Sequence, residues 1–286
     1  MKFEREAHGQ YEKACALAKK NLQDKKKQKL PVCPAALNTI QDEKMISYRI
    51  DLGILDIPTN LILGAAGHSD KSMLYTRGFL PLSTPESEYA AQWISLYREQ
   101  QNGKGFEKAI TCYEYLGKFY VRDGMKRVSV SKYAKTLSIK AHVVRILPMC
   151  LEEQEAVWYF DFLRQYHFTQ LYQLQFTQQG FFEKLQRGLG CNPSHRWTDR
   201  DRERFLQYWP SIEYAFLKSY EDALSITAAD ALVVIMNRYS FDQITSMDSW
   251  VLARVFQSFG KELYQLSFPA ESSVKVNAAA GALQTA

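Results

Sequence analysis

Residues 113–146 read YEYLGKFYVRDGMKRVSVSKYAKTLSIKAHVVRI, centred on Asp123-Gly124-Met125-Lys126-Arg127. The run 118–122 (KFYVR) is rich in aromatic and β-branched residues and reads as a strand. Asp-Gly then reads as a tight turn, because glycine tolerates positive φ. Beyond it, Val130, Tyr133, Ala134 and Leu137 fall at i, i+3, i+4 and i+7, which predicts one apolar face of a short helix. Ile139, Ala141 and Val143 alternate against Lys140 and His142, the pattern of a second strand. The unit is therefore strand, glycine turn, helix, strand. It delivers Lys126 and Arg127 to a helix N-terminus, where free backbone N–H groups and the helix dipole attract anions. Spacing alone leaves two readings open: a phosphate-binding turn, or a connection carrying solvated basic residues.

Charge leans towards the first. Residues 113–145 hold eight Lys or Arg (Lys118, Arg122, Lys126, Arg127, Lys132, Lys135, Lys140, Arg145) against Glu114 and Asp123. That local excess is larger than the net +5 of the whole 286-residue chain, so the basic field is concentrated here, as at a site that meets phosphates.

The pattern of strand, DG-x-[HKR]-R, helix and strand resembles the ParB/sulfiredoxin superfamily, which includes ParB partition proteins, sulfiredoxins and free-serine kinases. The ordered set Ile50-Asp51-Leu52-Gly53 with Ile57-Pro58, Ser87-Glu88-Tyr89-Ala90 with Trp93, and Tyr113-Glu114-Tyr115-Leu116 through Val130 is similar to the ParB-like region of clostridial proteins that also carry a BMP-type substrate-binding domain. The resemblance covers roughly residues 10–265. It implies a small α/β domain seating a nucleotide phosphate on the glycine turn, with CTP or ATP as the nucleotide and Mg²⁺ as a companion ion. Gly124, Lys126, Arg127 and Ser129 then form the phosphate site, and Gly64, Gly67 and His68 another wall of the pocket. DNA and a second copy of the chain are the partners it brings into view.

The resemblance does not carry the family's catalytic residues with it. Sulfiredoxin chemistry needs a cysteine just before the basic pair; Met125 stands there, and a thioether forms no thiol adduct. Free-serine kinases resemble D-G-H-H-R, and Met125 and Lys126 replace both histidines. ParB switches resemble G-E-R-R, and the glutamate is missing. Gly124 and Arg127 match in the last two patterns. Asp123 is the catalytic candidate if the protein is a phosphotransferase; the alternative is a carboxylate capping its own turn. If 114–123 is one continuous strand, Glu114 and Asp123 point to opposite faces and form no catalytic pair unless Gly117 marks a bulge. A binding module with little or no turnover is the expectation.

Around this stretch, residues 1–46 read as a helix and basic linker. Ala14, Leu17 and Ala18 give a thin apolar stripe, and the run Lys19 to Lys29 contains six lysines. That run is either a solvated helix end or an arm for nucleic acid. Residues 1–20 have no apolar core of a secretory signal. Residues 46–57 have strand character. Leu61-Ile62-Leu63 then enters the small-residue run Gly64-Ala65-Ala66-Gly67-His68, which suits close approach to a ligand but lacks the P-loop pattern. His68, Lys71 and Arg77 add positive charge. Thr84 with Pro85 reads as a helix start. Tyr89, Trp93, Leu96 and Tyr97 form an aromatic stripe of core type. Residues 47–148 thus form the α/β domain.

From Glu152 onward the texture is aromatic-rich and helical, with Thr198-Asp199-Arg200-Asp201 opening one helix, 228–236 a buried helix and 248–263 a last one. Residues 151–268 carry 11 basic and 15 acidic residues, so the positive field belongs to the first half. A helix-turn-helix within 227–262 is disfavoured, because 248–261 offers only Arg254 and Lys261 as cations. Residues 269–286 read as a disordered tail. The expected class is α+β, a small mixed α/β domain followed by an all-α domain. Five widely spaced cysteines without C-x-x-C argue against a disulfide framework and fit a reducing cytoplasm. No apolar run reaches the ~18 residues of a membrane span.

Overall fold

Leu116 and Gly117 both take positive φ (51° and 73°) and fold the quoted stretch back on itself. Two residues in this conformation make the tight turn whose twist matches a hairpin. The turn joins β4 (Ile110–Tyr115) to β5 (Lys118–Asp123), which pair antiparallel with Tyr113 opposite Tyr120. Glu114 and Asp123 therefore lie on different strands. The parity expectation for one continuous strand does not apply, because the Leu-Gly turn intervenes.

The computed structural model describes residues 2–37, 46–67, 72–103, 105–148, 154–192, 194–220 and 223–268. The chain divides into two compact units, residues 1–157 and 158–286. The fold class is α+β. The strands of the described residues fall in the first unit, and the described elements of the second are helices. No helix among them is long and apolar enough to cross a membrane.

The sheet adds β1 (Ala35–Ala36), β2 (Ile46–Pro58), β3 (Ile62–Ala65) and β6 (Ser138–Pro148), in the order β1-β3-β5-β4-β6-β2. β6 runs parallel to β4, with Glu114 opposite Arg145, and antiparallel to β2. β3 runs parallel to both of its neighbours, β1 and β5. The alternation expected in β6 is present: Ile139, Ala141 and Val143 are buried, and Lys140 is exposed.

Three helices complete the first unit: α1 (Lys2–Lys27), α2 (Glu88–Gln101) and α3 (Met125–Tyr133). α3 joins β5 to β6 and lies against β4 and β6. It is shorter than its apolar spacing predicts: Ala134 is its C-cap and Leu137 is 69% exposed. The buried α3 residues are instead Val128, Ser129, Val130 and Ser131. The first half of α1 packs into this unit. Ala7, Tyr11, Ala14 and Cys15 share one buried cluster with Tyr89 and Trp93 of α2 and Val130 of α3, and Leu17 is exposed. The anchor is Tyr11, whose ring stands edge-on to Trp93 at 5.2 Å while its hydroxyl donates to Ser83 O at 3.0 Å. α2 starts later than Thr84. Ser87 is its N-cap and accepts the Ala90 N–H at 3.2 Å, while the Ser87 hydroxyl donates to Thr84 O. Lys25, Lys26 and Lys27 close the last turn of α1, where the dipole favours cations.

In the second unit, α4 (Gln154–Thr169, its first residues preceding the division), α5 (Phe181–Leu189), α6 (Asp199–Tyr220), α7 (Ala228–Ile235), α8 (Phe241–Thr245), α9 (Ser249–Ser258) and α10 (Gly260–Ser267) follow. Every residue of α7 is buried, in a core that includes Phe205, Trp209 and Phe216 of α6. The single helix expected over 248–263 is two, broken at Phe259. The tail 269–286 and Cys150 lie outside the described residues.

Candidate functional site

Gly124 takes φ +99°, the left-handed region, and is the N-cap of α3. No side chain caps that helix. A Cβ at this position would stand 2.6 Å from Ile110 Cγ2 and 2.8 Å from Arg127 Nη2, so backbone conformation and space both require glycine. The turn leaves the first N–H groups of α3 without a side-chain acceptor, at the positive end of the helix dipole.

Arg127 sits one turn into α3. Its Nη2 lies 3.2 Å from Asp123 Oδ2 and donates weakly to Ala109 O at 3.5 Å. Its side chain is 15% exposed, and its Nε is buried with no hydrogen-bond partner among the described residues. Asp123 is 64% exposed and serves as the ion-pair partner of Arg127. The turn-capping role expected for it is replaced by this pair, since Arg127 at i+4 brings its guanidinium within reach. Lys126 Nζ donates to Gln92 Oε1 and stands 5.1 Å from the ring centroid of Tyr89.

These groups open on a cleft of about 760 Å³ between the β5–α3 turn (122–127) and the polar edge of α2, with Leu74 and Tyr75 beside it. Arg122, Lys126 and Arg127 line it against Glu88 and Asp123. Burial pushes the Tyr75 phenol up to about 12 and Tyr89 higher still, so both buried hydroxyls stay neutral at ordinary pH. Gln92 and Ser95 are cleft residues that the reading of the turn did not name. Glu88, Gln92 and Ser95 recur at i, i+4 and i+7, a polar stripe beside the buried aromatic one, and that spacing is visible in the sequence.

Other expected site residues are placed elsewhere. Ser129 is fully buried and its Oγ accepts the Trp93 indole N–H at 2.9 Å. It is a core hydrogen-bond partner rather than a phosphate donor, because α3 turns this position inward to α2. Gly64 lies within β3, and a Cβ there would come 2.0 Å from Ala35 O, so its small size admits β1. Neither Gly64 nor Gly67 lines the cleft. His68 and Lys71 lie outside the described residues.

The eight cations of 113–145 do not form one field. Arg145 Nε donates to Glu114, which is fully buried and also accepts the Gly117 N–H at 2.8 Å. Lys132 Nζ donates to Ile62 O at 2.7 Å and stands 5.2 Å from the Phe79 ring centroid. Burial pulls its ammonium down to about 8. Arg122, Lys126 and Arg127 are the three that line the cleft.

Among the described residues no group of three or more His, Cys, Asp or Glu is placed to hold a metal ion. Comparison with family models, curated proteins and solved structures gave no match for this chain.

Proposed function

We propose that the first unit is a ParB/sulfiredoxin-like module that binds the phosphate of a nucleotide at the N-terminus of α3, in a regulatory rather than a catalytic role. The observation that carries this reading is the buried Arg127 Nε. Among the described residues it has no hydrogen-bond acceptor, and it belongs to a side chain beside a helix N-terminus without a side-chain cap. A phosphate oxygen is the acceptor both groups lack, and charge-assisted bonds of this kind are short and strong. Gly124 lets the oxygen approach the backbone. Lys126, now held by Gln92, is within one side chain's reach of the same cleft.

The residues present also fit a nucleotide's Mg²⁺. Asp123 and Glu88 are the cleft carboxylates, and magnesium is commonly held by one or two carboxylates together with substrate phosphates. Phosphoryl transfer asks for more, namely a base free to take a proton from an acceptor hydroxyl. Asp123 is engaged by Arg127 and Glu114 by Arg145, which favours binding over turnover. Direct DNA binding is the second reading. The observation behind it is the exposed lysine run closing α1, and it predicts a steep loss of affinity with salt. CTP and ATP are the first nucleotides to try, in a protein of the reducing cytoplasm that acts alone or as a homodimer.

The test is a thermal-shift screen of CTP, ATP, GTP and UTP with and without Mg²⁺, alongside orthophosphate. Stabilisation by at least one triphosphate supports the reading. No shift with any of them removes it.

A further inference from the structure

β2 ends the sheet. Among the described residues it pairs with β6 on one side and with no strand on the other. Edge strands are ordinarily kept from pairing by shortness, by charged side chains or by a bulge. β2 is long, and its bulge falls at Asp51–Gly53, where the register against β6 shifts. There Gly53, at φ +72°, donates its N–H to Asp51 Oδ1 at 2.8 Å. The stretch that leads into the bulge, Tyr48-Arg49-Ile50-Asp51-Leu52, stays open. Tyr48 is 71% and Ile50 42% exposed, and the side chains of Arg49 and Asp51 are exposed as well.

The charges on this stretch are of both signs and lie on one face. Arg49 stands opposite Ile146 of β6 and Asp51 opposite Val144, two residues apart on each strand. Val144 in turn stands opposite Tyr113 of β4, and Arg49 Cζ lies 5.8 Å from the Tyr113 ring centroid. Tyr48 and Ile50 take the other face. The pattern is self-complementary about Ile50. Laid antiparallel against itself, Arg49 falls opposite Asp51, Ile50 opposite Ile50, and Tyr48 opposite Leu52 where the bulge begins. Asp56 meets Arg49 only in a register that sets the two bulges against each other.

We propose that the open edge of β2 pairs antiparallel with β2 of a second copy of this chain, about a two-fold axis at Ile50. The sheet then runs through both copies. Arg49 of each copy meets Asp51 of the other, and the two symmetric ion pairs fix the register, since a slip of one residue separates them. Such an interface is isologous, so one stretch serves both sides. The charge pattern is what points to a second copy, because the strand that matches this edge best is the edge itself. The proposal does not depend on the phosphate site, which lies beyond β6 and β4 in the sheet order.

The test is sedimentation velocity of the full chain at concentrations up to about 0.2 mM, because an interface of this size is weak. Wild type is expected to shift from monomer to dimer as concentration rises. Arg49→Asp sets acid against acid twice across the axis, and Asp51→Arg sets base against base. Each is expected to weaken the dimer by about tenfold or more. In an equimolar mixture of the two variants every opposed pair is again one acid and one base, and association is expected to return to near the wild-type level. Thermal melts check that both variants fold. Arg49→Asp leaves the Asp51–Gly53 bulge untouched, so its result stands by itself. A wild type that stays monomeric, a dimer undiminished in Arg49→Asp, or a mixture of folded variants that stays monomeric would each overturn the proposal.

Discussion

Replacing Glu114 by Gln isolates the interaction that locks the sheet behind the phosphate turn. Glu114 is fully buried on β4, opposite Arg145 on β6, and accepts from both the Arg145 Nε and the Gly117 N–H of the hairpin turn. The Arg145 side chain is 11% exposed. Glutamine keeps one acceptor but turns an NH₂ towards groups that are themselves donors, leaving a guanidinium buried without its counter-charge. Removing one partner of such a pair costs about 3–5 kcal/mol, whereas replacing both by apolar residues of similar volume is often neutral. In a unit of this size about 1 kcal/mol moves the midpoint by roughly 2–4 °C, so Glu114→Gln should lower it by about 6–20 °C. Glu114→Leu combined with Arg145→Met should recover part of that loss, the remainder being the hydrogen bond that the Gly117 N–H gives to Glu114. Four of the five tryptophans lie in the second unit, so whole-chain fluorescence would blur the result. A urea titration read by hydrogen exchange over residues 110–121 reports on the sheet alone. A single variant within about 1 kcal/mol of wild type, or a double variant as unstable as the single, would refute the reasoning.

Gly124→Ala should destabilise the first unit by about 2–4 kcal/mol, combining left-handed strain with the Ile110 contact, and should weaken nucleotide binding; urea unfolding and calorimetry check both. Ser129→Ala should cost about 1–2 kcal/mol by orphaning the Trp93 indole N–H and leave nucleotide affinity unchanged, and an affinity loss of tenfold or so would return Ser129 to the site. Lys132 gives a pH signature. Its folded pKa of about 8 lies below its ordinary 10.5, so between these values the unfolded chain holds a proton that the folded chain has released, and stability rises with pH. Between pH 8 and 9 the gain is about 1 kcal/mol and should be absent in Lys132→Met. Above pH 9 Cys112, pushed up to about 12 by burial, pulls the other way, so the narrow window is the one to measure by urea titration.

The strand, glycine turn, helix and strand of 118–148 were legible because each depends on local pattern: aromatic and β-branched alternation, Asp-Gly, and a basic pair at a helix start. The hairpin at Leu116-Gly117 was not, since a leucine with positive φ is uncommon and its only cue was a glycine that also suits a bulge. The place of α1 was hidden for a different reason. Its buried face is built from alanines, a cysteine and Tyr11 among charges, a pattern of weak hydrophobicity whose value depends on the Trp93 it meets. Charge counting overstated the basic field, because two of its cations, Lys132 and Arg145, find partners inside the fold. Ser129 shows the same limit: position N-terminal in a helix is readable, but which way that turn faces is decided by α2.

The central claim is that Arg127 and the α3 N-terminus hold a phosphate. Calorimetric titration of a nucleoside triphosphate into wild type, Arg127→Ala and Asp123→Asn tests it most directly. A charge-assisted phosphate contact is typically worth about 1.5–3 kcal/mol, so Arg127→Ala should bind roughly tenfold to over a hundredfold more weakly with its fold retained. With Mg²⁺ left out, Asp123→Asn, which frees the guanidinium, should bind at least as tightly as wild type. Wild-type affinity in Arg127→Ala would contradict the account.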